Sequence, residues 1–156
     1  MSGVGPQMKD GKPAYVGRLG EELDVQQGAA AARSVGITML GALHAVTGDL
    51  NRVKAILKVL GFVNSTPEFG QHIAVIDGFS SLMAEVFGPE VGAHARAPVG
   101  CSSLPFNIPV MVEMLVELAQ RPLPAGPTTA CHTSWRPSRS RSAICASVVN
   151  SPGPMG

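Results

Sequence analysis

From Asp24 onward, small and apolar residues return every three or four positions: Val25, Ala29, Ala32, Gly36, Met39, Leu43 and Val46. That spacing sets them on one helical face. Asp24 and Gln27 form a capping-box pair, in which a carboxylate takes orphan amides and an amide side chain reaches back. Gly48 supplies the left-handed residue that stops a helix. The pattern predicts a helix over 24–47. Arg52 to Val63 is different: short, rich in branched residues and apolar on both alternating faces. It predicts a strand whose two sides are largely covered. Asn64-Ser65-Thr66-Pro67 then interrupts, with Ser65 or Thr66 placed to cap a second helix and Pro67 tolerated at its first position. Ile76, Phe79, Met83 and Phe87 mark that helix, which should stop at Gly88-Pro89. Gly78 inside it costs about 1 kcal/mol relative to Ala.

Two strands follow, over 95–101 and 110–118. In the second, Val110, Val112, Met114, Val116 and Leu118 alternate with Met111, Glu113, Leu115 and Glu117, which puts both glutamates on one face. With a strand near the start, the order is strand, helix, strand, helix, strand, strand. This predicts an α/β (α+β) fold, a mixed sheet with helices packed on it.

Composition adds a boundary. Residues 1–118 carry eight Lys and Arg against eleven Asp and Glu, a net −3, whereas residues 119–156 carry four Arg and no acid. The later segment also holds six prolines and six serines, including Arg136-Pro137-Ser138-Arg139-Ser140-Arg141. Such a stretch buries too little apolar surface to offset its ordering entropy. The expected organisation is a domain over 1–118 and a disordered tail over 119–156. No apolar run approaches the ~20 residues needed to cross a bilayer. The start lacks the basic and apolar regions of a signal peptide, so a cytoplasmic protein without membrane contact is expected. Cys101, Cys131 and Cys145, odd in number and scattered, suit reduced thiols, and no Cys/His pair has zinc-ligand spacing.

The stretch His94-Ala95-Arg96-Ala97-Pro98-Val99-Gly100-Cys101-Ser102-Ser103-Leu104-Pro105, followed by Val110-Met111-Val112-Glu113-Met114, resembles the signature of the RidA/YjgF family. Val25 to Arg33 is similar to the start of the first family helix, and Gly48 to Val53 to the turn into the middle strand. Gly61 to Ser65 and Phe87-Gly88 resemble the endoribonuclease-labelled branch with a chorismate-mutase-like fold.

The resemblance implies a homotrimer with clefts between subunits, in which reactive 2-imino acids or enamines are hydrolysed to 2-oxo acids and ammonia. It implies no cofactor and no metal. It places Arg96 as the anchor for the ligand carboxylate, Glu113 beside the reacting carbon with a held water, and Ser2-Gly3 along the same cleft. A guanidinium matches a carboxylate with two parallel hydrogen bonds, and a carboxylate beside the water can move its proton. Relative to the family, N-terminal strands are partly missing, leaving an expected open sheet edge. Val4 replaces a family Gln, and Pro98 confines its strand to an edge or bulge.

Each residue also has a plain reading. Arg96 can be an ion-paired surface arginine, Glu113 part of a solvated strand face, and Ser2 a frayed terminus. Cys101 is read as structural; His44, His72 and His94 as polar surface or satisfied core residues; Lys54 and Lys58 as solvent contacts. The alternative function is a non-catalytic carboxylate-binding or regulatory trimer, or an inactive truncated member. Endoribonuclease chemistry ranks last, for want of a His pair or metal cluster. Nucleic acid is not an expected partner, since four arginines without interleaved aromatics are a weak footprint.

Overall fold

The computed structural model describes residues 1–119. Apart from Ala119, the tail expected over 119–156 lies outside the described residues. Near the start, where one strand is expected, there is a small hairpin, β1 (Met8–Lys9) paired antiparallel with β2 (Lys12–Pro13). Its turn is Asp10-Gly11, both with positive φ (50° and 75°), the sequence and geometry that suit the right-handed twist of a hairpin.

Helix α1 (Val25–Thr47) has the expected limits. The Asp24 side chain accepts from the Gln27 amide at 2.8 Å, and Gln27 Oε1 accepts from the Asp24 amide at 2.9 Å. Gly48 closes the helix in the left-handed conformation, donating its N–H to the His44 carbonyl. By length and composition α1 is apolar enough to cross a bilayer, which the sequence was not expected to supply. Its Ala, Val and Met face is spent instead on α2 and the sheet.

Strand β3 (Val53–Asn64) is the centre of a three-stranded sheet in the order β4-β3-β5. Helix α2 (His72–Val91) carries the chain across to β4 (Ala95–Cys101), which runs parallel to β3, and β5 (Val110–Leu118) lies antiparallel on the other side. Strands 95–101 and 110–118 stand as predicted. Pro98 sits on an edge strand, where its missing N–H costs no ladder bond on the open side.

The start of α2 corrects the sequence reading. It begins at His72, with Gln71 at the cap position and no side-chain cap. Ser65 and Thr66 are committed elsewhere: the Ser65 amide donates to the Cys101 carbonyl at 3.1 Å and the Thr66 amide to the Leu19 carbonyl at 3.0 Å. Those long-range bonds keep 65–71 out of the helix. At the other end Gly88 has φ 78°, so the regular helix breaks where expected and one further turn follows to Val91.

Both helices lie on one face of the sheet. Val59 and Val63 of β3 and Val110, Val112 and Met114 of β5 meet Ala32, Val35 and Met39 of α1 and Val75, Ile76, Phe79 and Met83 of α2 in a single core. The helices approach closely at Gly78, where a Cβ would fall on the carbonyl of Ala29. Arg33 and Glu85 clamp their exposed sides with two hydrogen bonds of 3.0 and 2.7 Å. Among the described residues no layer lies over the other face of the sheet, so within 1–119 β3 is covered on one side rather than two.

The outer edge of β5 is partly closed by the chain's own start. Val4 and Val112 exchange two backbone hydrogen bonds of 2.9 Å, and Met1 exchanges another pair with Met114. Much of the edge expected to be open is therefore paired.

The two helical glycines at 78 and 41 separate packing from propensity. Gly78→Ala should lose about 1–3 kcal/mol through overpacking. Gly41→Ala, whose Cβ would meet nothing within 4 Å, should gain about 0.5–1 kcal/mol. Urea titration of both variants checks the opposite signs.

Candidate functional site

Strand alternation sorts the candidate residues by face. In β3, Val59 points into the core, so its neighbours Lys58 and Leu60 point to the uncovered side. Leu60 stands opposite Glu113 of β5, and Lys58 opposite Leu115. Paired residues share a face, which places Glu113, Leu115, Leu60 and Lys58 together on the uncovered side. Lys58 is then the diagonal neighbour of Glu113, within reach of a long side chain.

Pairing of Met1–Val4 with β5 carries Ser2 to the same place. Met1, Ser2, Lys58, Leu60, Glu113, Met114 and Leu115 line a cleft of about 370 Å³. Ser2 and Glu113, chosen from opposite ends of the domain, thus share one wall. Gly3 faces a neighbouring apolar hollow with Val4, Phe106, Ile108 and Met111. Its φ of 46° makes the turn that lets Ser2 and Val4 serve the two hollows.

Arg96 is elsewhere. Its register partner is Val59, so it faces the helices. Its guanidinium pairs with Asp77 at 2.6 Å and donates to Ser80 Oγ at 3.1 Å, both on α2. Ser80 is the hub of a short chain. His94 Nδ1 lies 2.7 Å from the Gly92 carbonyl, which can only accept, so Nδ1 carries a proton. With the imidazole neutral, Nε2 is the acceptor and the Ser80 hydroxyl donates to it across 3.0 Å. The network fastens the entry of β4 onto α2. Arg96 and Glu113 lie on opposite faces of the sheet, and a single chain does not bring them to one ligand.

Two functional candidates were not singled out from sequence. Lys58 looked like a solvent contact because its relation to Glu113 exists only once the β3–β5 register is known. His72 looked isolated, yet its Nε2 is 3.1 Å from Ser65 Oγ. A seven-residue gap is two helical turns, but Ser65 lies outside α2, so the pair is made by the course of the chain through 65–71 and not by a helix face. Cys101 is half-buried; burial pushes its thiol above the ordinary range, partly opposed by a hydrogen bond from the Ser103 backbone. Among the described residues, no group of three His, Cys, Asp or Glu is placed to hold a metal ion.

The sequence model of the YjgF/chorismate_mutase-like, putative endoribonuclease family matches residues 1–118. The chain belongs to that family. A YjgF-type mixed sheet backed by two helices recurs in two crystal structures. One is the protein Atu1372 of unknown function from Agrobacterium tumefaciens, at 41% identity and TM-score 0.71, covering 76% of this chain and 74% of that one. The other is a putative endoribonuclease from Shewanella oneidensis MR-1, at 32% identity and TM-score 0.71, covering 76% and 77%. Protein TCP17 of Trypanosoma cruzi is 47% identical over 102 residues, 65% of this chain; the match spans 64% of that relative's length.

Two outcomes follow from the geometry. Arg96→Ala should cost about 0.5–1 kcal/mol in urea denaturation, because the ion pair is only partly shielded from water. Cys101 should alkylate more slowly at pH 7 than a free thiol and accelerate only as pH rises past the ordinary thiol range, read with iodoacetamide and mass spectrometry.

Proposed function

We propose that this YjgF-family chain hydrolyses small reactive imines or enamines, releasing ammonia and a 2-oxo acid, in clefts completed by neighbouring copies of a homotrimer. The observation that carries this reading is the convergence of Ser2, Lys58 and Glu113 on one cleft of about 370 Å³ on the uncovered sheet face. That volume suits a small ligand. Leu60, Phe62, Val99 and Leu115 give the same face an apolar character that favours burial against another copy.

In this reading a water adds to the C=N carbon while Glu113 takes its proton. The protonated imine thereby becomes a neutral carbinolamine. Glu113 returns the proton to its nitrogen, and as ammonia leaves the carbinolamine hydroxyl gives its own proton to the freed Glu113 carboxylate, which leaves the carbonyl. The Lys58 ammonium holds the ligand carboxylate as a point charge, the task the sequence motif suggested for Arg96. Ser2 adds a hydroxyl at the rim. Much of the rate enhancement is positioning of imine against water. Phosphodiester cleavage is less well supported, since among the described residues no histidine lines this cleft.

The test couples light scattering to ammonia release from 2-imino acids generated in situ. A mass of three chains with turnover is expected. Glu113→Gln should lower kcat by about 10²–10⁴-fold without changing the mass, and Lys58→Met should act mainly on KM. Saturable 2-oxo acid binding without turnover would make the chain a binding protein instead.

A further inference from the structure

A second cavity lies at the far end of β3, away from the cleft of Ser2 and Glu113. It measures about 370 Å³ and is lined by Arg18, Ser65, Thr66, Pro67, Phe69, His72, Gly100, Cys101 and Ser102. We propose that this cavity binds a small organic oxyanion, with its phosphate or carboxylate head on Arg18, His72 and the surrounding hydroxyls and its apolar body against Phe69 and Pro67.

The charge balance of the lining is one-sided. Among the described residues it offers a guanidinium, an imidazole, three hydroxyls and a thiol, and no carboxylate. Among the described residues the Arg18 guanidinium makes only a long contact of 3.8 Å with the exposed Glu21, while Glu22 Oε2 accepts from the Arg18 backbone amide at 2.9 Å. The guanidinium Nε is buried without a hydrogen-bond partner among those residues. A buried guanidinium N–H left unpaired is costly; an oxyanion in the cavity supplies the acceptor it lacks. Ser65, only 5% exposed, holds its Oγ 3.1 Å from His72 Nε2. Phe69 meets the same imidazole edge-on at 5.3 Å, which fixes the ring's orientation. The first turn of α2 opens at the same end without a side-chain cap on Gln71, a field that adds to the attraction for a negative head.

Local backbone choices keep the cavity open. A Cβ on Gly100 would sit 2.5 Å from His72 Nε2 and 3.1 Å from Ser65 Oγ, and one on Gly20 would sit 2.8 Å from Thr66 Oγ1. Glycine at 100 lets the serine–histidine pair lie directly over β4. Glycine at 20, at φ 85°, leaves the Thr66 hydroxyl uncovered. The cavity is larger than an inorganic phosphate, and Phe69 with Pro67 supplies an apolar wall, so the ligand carries an organic body beyond its charged head.

The site is independent of imine hydrolysis, and its test has its own readout. The full chain is titrated by calorimetry and by amide NMR with inorganic phosphate, phenyl phosphate and benzoate, each against chloride at matched ionic strength. Phenyl phosphate or benzoate should saturate and shift the amides of 18–20, 65–72 and 100–102, with inorganic phosphate weaker. Preference between phenyl phosphate and benzoate then identifies the head group. Arg18→Gln and His72→Asn should each weaken binding by about tenfold or more. Gly100→Ala, which displaces the histidine without removing a charge, should weaken it too, while Glu113→Gln leaves it unchanged. Shifts equal to those of chloride, or binding that survives Arg18→Gln and Gly100→Ala in folded protein, would overturn the proposal.

Discussion

The close approach of α1 and α2 is the constraint from which the remaining geometry follows. Two helices can share one face of a sheet only three strands wide because Gly78 lets their backbones nearly touch at Ala29. Gly36, with Leu82 packed against it, repeats the arrangement one step along. With both helices on one side, no described residue forms a layer over the second face of the sheet. Everything on that face, including Lys58, Leu60, Glu113 and Leu115, is then available to a ligand or another copy. A residue facing the helices, such as Arg96, is drawn into fastening the layers together.

The two cavities use the same sheet in different ways. The cleft of Ser2 and Glu113 is built on the flat of the sheet, and its serine arrives because the chain's first residues complete the edge of β5. The second cavity is built past the ends of β3 and β4, where the chain turns through 65–71 before α2 begins. Its polar groups depend on Ser65 and Thr66 being tied to Cys101 and Leu19. Had those residues capped the helix, as local preference suggests, the histidine and arginine would not share a pocket with them. Long-range backbone pairing outweighed a local capping preference worth about 1 kcal/mol.

Much of the fold was legible because its signals are local. Asp24, Gln27 and Gly48 bracket α1 through hydrogen bonds made within a few residues. The period-two alternation of β5 and the proline in β4 likewise report strand geometry and edge position without reference to the rest of the chain. The family motifs are legible for the same reason, since they are runs of neighbouring residues at set spacings. Gly78 reads from the sequence as a cost to the helix, and its use in helix packing is invisible without Ala29 opposite.

The sequence by itself determined the main kinds of element, the limits of α1, β4 and β5, and the family. It also determined which chemical groups the chain can offer. Tertiary structure decided which of those groups meet. Sheet register sent Arg96 and Glu113 to opposite faces, although the motif sets them on adjacent segments of chain. The same register made a partner of Lys58, and chain reversal brought Ser2 across more than a hundred residues to Glu113. The physical reason is that a side chain's face depends on the parity of its position and on the strand beside it. Parity can be counted along one segment, but the neighbouring strand is chosen only when the core closes.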